Sequence, residues 1–294
     1  MAEQKVELRK IRNFSDNLND TILFIRQNLK PLLACFMGIA GIFMLTSAVL
    51  AGIYQSQWGS VFQAILNRKN PDAVAPVNLF NWNYFLVLIF GWLNYVAMQV
   101  TVISYIKVYE VKNGETPVIS EVWFVFKRYF FKVFFYSIPI FLLTVLGCIF
   151  CLVPGIYLGV VFVPFSVILI MEDQTFGEAF NRCFRLIKNN VWISLGIYFL
   201  TYLISAFSGG IISLIVGGIA GLISYFTTGN LNATIGIVTS ILGIFRFIFY
   251  IVFYVSVCLH YFNLAEKYDG TGMMRKLDSI GGNDQNFDNI QEQY

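Results

Sequence analysis

The stretch VFFYSIPIFLLTVLGCIFCLVPGIYLGVVFVPFSVILIM, residues 133–171, decides the fold class. It runs for 39 residues without a charge. A helix rises about 1.5 Å per residue, so roughly 20 residues cross about 30 Å of hydrocarbon. The run is too long for one crossing and suits two, divided by Pro154-Gly155 as a tight turn. Lys132 precedes the run and Glu172-Asp173 follows it, so both ends of this hairpin face the same side of a membrane.

Working outward, further apolar runs cover about 31–54, 83–106, a stretch starting near 191, and about 235–262. With the hairpin limbs at 133–152 and 156–171 they make six spans. Six crossings put seventeen of the twenty Lys and Arg residues on one side. Arg68 and Lys69 fall on the other side, and Arg246 lies inside an apolar run. That asymmetry is the positive-inside pattern. The expected architecture is all-α: a polytopic transmembrane helical bundle with both termini cytoplasmic. It divides into a cytoplasmic segment 1–30, a six-span domain 31–262 and a flexible cytoplasmic tail 263–294.

Composition agrees. The chain is 57% hydrophobic and 13% charged, where a soluble domain carries about 25% charged residues. A net charge of +3, with the basic residues bordering apolar runs rather than forming one patch, gives no sign of nucleic acid as a partner and reads as anchors to anionic lipid headgroups. The Leu32-Leu33-Ala34-Cys35 match to a lipoprotein cleavage site has its apolar run after the cut rather than before it, so an uncleaved anchor is expected.

Residues 191–226 are too long for one ordinary span and carry Gly209-Gly210 and Gly217-Gly218. Two crossings there would put Lys267, Arg275 and Lys276 outside. The charge rule favours one crossing plus a re-entrant or interfacial segment, with 209–232 packed on the outer side of the bundle.

Amphipathic stretches precede spans one, three and five. Between Ser15 and Lys30, Leu18, Ile22, Ile25 and Leu29 share one helical face. Ser120 to Lys132 interleaves Trp123, Phe126 and Phe130 with Lys127 and Arg128. Thr175-Phe176-Gly177-Glu178 reads as a capping box. The helix it opens sets Phe176, Phe180, Cys183, Phe184 and Ile187 against Arg182, Arg185 and Lys188 toward water. Such helices lie in the membrane interface, with Lys127, Arg128, Arg182, Arg185, Lys188 and Trp192 as its anchors.

The run from Leu152 to Leu158, then Pro164, Glu172, Glu178-Ala179, Arg182, Lys188-Asn189-Asn190 and Trp192, resembles the signature of a bacterial and archaeal membrane family. That family is named for the membrane domain of glycerophosphoryl diester phosphodiesterases. Tyr261-Phe262-Asn263-Leu264, Glu266, Asp269 and Gly270 are similar to its ending. The resemblance implies a six-span helical domain of the bacterial cytoplasmic membrane with cytoplasmic termini. It implies no catalysis, because in the fusions the chemistry belongs to a soluble barrel that the 32 residues after Phe262 are too few to form.

No catalytic, cofactor or metal motif stands out. His260 is the only histidine, too few for a histidine-rich metal oxygenase. Cys148 and Cys151 form a CxxC within the third span, where cysteine also serves as a small apolar residue. Glu172, Asp173 and Glu178 are explained by helix capping and by pairing with Arg182.

Arg246 interrupts an apolar run, and a charge near the bilayer centre costs at least about 2.5 kcal/mol. One reading has it snorkel to outer headgroups. The other faces it toward Asn94, Gln99 and Thr101 as an anion- or lipid-binding site. The leading function is therefore a non-enzymatic membrane protein, accessory to a membrane-protein partner or to lipid organisation, with membrane lipids as its partners. The alternative is a small-solute or lipid transporter built around Arg246.

Overall fold

The computed structural model describes residues 5–66, 81–227, 231–270 and Met274. The described residues form eight helices and no strand: α1 (Phe14–Leu66), α2 (Trp82–Val111), α3 (Ile119–Phe150), α4 (Leu152–Phe162), α5 (Phe165–Met171), α6 (Phe176–Ile187), α7 (Val191–Thr227) and α8 (Leu231–Asp269). Six stretches are long and apolar enough to cross a membrane, α4 and α5 together making one of them. A helix satisfies all its backbone groups internally, as hydrocarbon requires. The chain is a multi-pass, all-α integral membrane protein.

The helices pack in the sequence α7, α8, α1, α2, α3, α4, with α5 and α6 closing one end. Ion pairs identify that end. Arg9 joins Glu110, Lys112 joins Glu121, Arg128 and Lys132 reach Asp173, and Arg182 bonds both Glu172 and Asp269. This basic end is stitched together from six separate segments. The buried core lies here too: in α2 it runs from Asn94 to Tyr109, in α3 from Val122 to Val133. The remaining limbs splay, and the apolar window of α3 is only 6% buried within the protein. Lipid can cover such faces at no hydrophobic cost, so they need no protein partner.

Several elements differ from the reading above. The chain reverses at Cys151, whose extended backbone ends α3 and starts α4. Pro154-Gly155 follows inside the first turn of α4, where a missing N–H is tolerated. Gly155 instead marks the closest approach of the limbs, since a Cβ there would stand 2.6 Å from the Cys148 backbone. The fourth span is broken at Pro164.

The re-entrant segment expected over 209–232 is not formed. Helix α7 continues through both glycine pairs to Thr227. Opening it would leave amides unbonded in hydrocarbon, at several kcal/mol each, against about 1 kcal/mol for each helical glycine. Residues 228–230 lie outside the described residues, as do Arg68, Lys69 and the tail from Arg275 with its expected flexibility.

Of the three amphipathic stretches only α6 is a separate helix. The first is continuous with span one inside α1, and the third with span three inside α3, so the divisions at 30/31 and 262/263 fall within helices. Helix α1 is nonetheless bent. It touches α8 through Asn17–Ser256 and again through Ala48–Gly243. These contacts lie 31 residues apart on α1 but 13 apart on α8, about 46 Å against about 20 Å along straight helices. Side-chain reach does not bridge that difference. Pro31 lies between them and removes a helical hydrogen bond. The face of Ile22 and Leu29 stays exposed, while Asn17, Thr21 and Asn28 face the core.

Candidate functional site

The splay leaves a cavity of about 620 Å³ between α2, α3, α4 and α5. Its wall is mostly apolar, formed by Val87, Leu88, Ile140, Phe141 and Phe162 among others, with Gly91 and Gly159 giving it depth. A Cβ added at Gly91 would meet nothing within 4 Å. Leu88, Tyr95 and Phe141 at the rim are exposed, so the cavity opens toward surrounding lipid. No charged side chain lines it.

Four polar groups on the wall are committed. Trp92 Nε1 donates to Ser137 Oγ at 3.1 Å, and Ser137 Oγ donates to the Phe134 carbonyl at 2.8 Å. Thr144 Oγ1 donates to the Ile140 carbonyl at 2.9 Å. Ser166 Oγ donates to Gln99 Oε1 at 3.2 Å. The Gln99 amide nitrogen has no hydrogen-bond partner among the described residues, although the residue is only 7% exposed. Gln99 lies eight residues above Lys107, about 12 Å along α2, and thus within the hydrocarbon depth.

Of Arg246, Asn94, Gln99 and Thr101, grouped around an anion from sequence, the structure brings Gln99 alone to this cavity. Asn94 is buried with its Oδ1 unbonded and does not line it. Helix α8 meets α2 where Tyr254 packs on Tyr95. Arg246 stands eight residues, about 12 Å, beyond Tyr254 along α8, and is exposed. Its stem lies against Gly209 of α7 and its guanidinium is 5.6 Å from the Phe247 ring. Thr101 is buried and donates to the Ala97 carbonyl. Sequence reasoning passed over Ser137 and Ser166 because a serine in an apolar helix carries no signal until its neighbours are known.

The anchors divide as well. Arg185, Lys188 and Trp192 are exposed, and Lys127 lies over the Trp123 ring. Arg128 is half-exposed and bonds Asp173 at 2.5 Å. Arg182 is not a surface anchor: it is buried at 7% exposure, held by Glu172 at 3.2 Å and by both oxygens of Asp269. Tyr261 completes the group by donating to Glu172 at 2.8 Å. Burial opposes the Arg182 charge, but the Asp269 and Glu172 carboxylates outweigh it and hold its pKa above the usual value.

The Tyr129 hydroxyl, with Arg128 and Lys132, holds the Asp173 carboxyl below its ordinary range. The carboxylate half of the capping box forms, Glu178 accepting from the Thr175 amide at 2.9 Å and from its hydroxyl at 2.7 Å, which also lowers the Glu178 pKa. Burial raises the Cys183 thiol, leaving it protonated and inert.

His260 Nε2 lies 2.8 Å from Ser194 Oγ, and both residues are fully buried. Ser194 spends its one proton on the Asn190 carbonyl at 2.8 Å, so the imidazole donates to the serine and does not activate it. Cys148 and Cys151 are exposed, free thiols at the hairpin tip. Comparison with protein-family models, curated proteins and solved structures finds no match to this chain.

Proposed function

We propose that this chain is a non-enzymatic accessory protein of the bacterial cytoplasmic membrane, with both ends in the cytoplasm, that organises lipid by holding part of a lipid molecule between α2, α3 and α4. Its likeness to the membrane domain of glycerophosphoryl diester phosphodiesterases belongs to the same proposal. The observation that carries the reading is the cavity: about 620 Å³, uncharged, apolar and open at an exposed rim. That volume falls within the roughly 300–1,000 Å³ of small-molecule sites. The basic end supports it, because Arg185, Lys188 and Lys127 are exposed cations suited to anionic headgroups. The transporter alternative placed Arg246 beside Asn94 and Gln99, and the exposed position of Arg246 lends it no support.

Gly91→Phe tests the reading, because Gly91 lines the cavity and a Cβ there meets nothing within 4 Å, so the added side chain competes for the space a ligand would take. Native mass spectrometry of the full chain, extracted gently from its membrane, is expected to show stoichiometric lipid on the wild type. The variant is expected to lose most of it while keeping its thermal stability. Equal lipid retention by both proteins would remove the cavity as the site.

A further inference from the structure

Gln99 is a donor without an acceptor. Its oxygen is occupied by Ser166, its nitrogen is unpaired among the described residues, and the residue is more than nine-tenths buried on the wall of the cavity. A bound acceptor would give this amide a hydrogen bond in a low-dielectric site. The donors of Trp92, Ser137, Thr144 and Ser166 on the same wall are already used.

We infer that the cavity selects a neutral molecule carrying a carbonyl oxygen on an apolar body, and that the Gln99 amide N–H donates to that oxygen. The step rests on the lipid-holding reading and names its ligand chemistry. The oxygen belongs to an uncharged group, because no Lys, Arg or His lines the cavity and an anion drawn into it would be left unpaired. It must be an acceptor, because the unpaired atom of Gln99 is a donor. The body must be apolar, because the remaining wall is aliphatic and aromatic. Two sources share this chemistry: the acyl ester of an uncharged glycerolipid, and the ring carbonyl of a tailed quinone.

Three probes separate the alternatives: dioleoylglycerol, its diether counterpart lacking the carbonyls, and a decyl-tailed benzoquinone. Each is titrated against the full chain in mild detergent, with bound fraction read by native mass spectrometry. The wild type is expected to bind at least one carbonyl probe about five- to tenfold more tightly than the diether, the difference one hydrogen bond makes. Whether the diacylglycerol or the quinone binds more tightly identifies the source.

Gln99→Leu is expected to bring the carbonyl probes down to the level of the diether while leaving diether binding unchanged. Pairing it with Ser166→Ala removes the serine hydroxyl that the single variant strands. A wild type that binds ester and ether equally, with no preference for the quinone, overturns the role of Gln99 and leaves the cavity reading standing. This comparison needs no variant to fold. Binding of all three probes that survives Gly91→Phe overturns the cavity reading itself.

Discussion

At the scale of single residues, the glycines of α7 show that the same residue type serves different ends by position. A Cβ on Gly209 would stand 2.6 Å from Arg246 Cγ and 3.0 Å from its Cα, so α8 is seated against the bare backbone. A Cβ on Gly218 meets nothing within 4 Å. Gly209→Val is therefore expected to push the helices apart and cost about 1–3 kcal/mol. Gly218→Ala is expected to be neutral or to stabilise by up to about 1 kcal/mol, since alanine is the better helix former. Thermal unfolding of both variants in one detergent checks the pair, and equal shifts would refute the seating. From sequence the two glycines were indistinguishable, because the deciding neighbour lies 37 residues away at Arg246. Arg182 was misread for a similar reason. Helical spacing turned it toward water, but its partner Asp269 lies 87 residues further on. Gln99 was legible as a polar residue inside a span, though what it faces was not.

Elements were easier to read than their joints. Charge-free length predicted the α3–α4 hairpin, and both limbs exist, because hydrocarbon rewards only closed helices. The turn was misplaced by a few residues, since proline and glycine serve as readily inside a first helical turn as at a reversal. The corrected geometry has a consequence for depth. From Lys132 to Phe150 the helix rises about 27 Å, slightly less than the roughly 30 Å of hydrocarbon. The tip carries Ile149, Phe150, Leu152 and Val153, all exposed, and Phe150 is 86% so. A hairpin entering from the basic end would thus finish within the far leaflet. Cys148 and Cys151 sit at this tip as reporters, and the other three cysteines are buried and silent. A membrane-impermeant maleimide added to either face of sealed vesicles is expected to leave both tip thiols unmodified. Solubilising the membrane in denaturing detergent, which admits water to the tip, is expected to let the same reagent label both, because the thiolate is the nucleophile. Rapid impermeant labelling from the far side would show that the tip emerges into water.

For the whole molecule, orientation follows from the parity of crossings, and parity turned on residues 191–226. Composition could not settle it: paired glycines are equally compatible with a break and with a close helix contact. The answer lies in packing, where Gly209 receives Arg246 and Gly217 receives Leu242 and Val238 along one unbroken α7. A single helix of 37 residues, about 55 Å long, has no reversal and is suited to one crossing. Six crossings would return the chain to its starting side, in line with the ion pairs that join Arg9 to Glu110 and Arg182 to Asp269 at one end. Lys and Arg are concentrated at that end, and the proposed orientation therefore has it face the cytoplasm. A green fluorescent reporter that folds only in the cytoplasm is therefore expected to light up when fused before Met1 or after Tyr294. Alkaline phosphatase, active only outside, is expected to work when inserted beside Arg68 and to stay silent after Tyr294. Phosphatase activity at Tyr294 would mean an odd number of crossings, and α7 would have to turn within the bilayer at one of its glycine pairs.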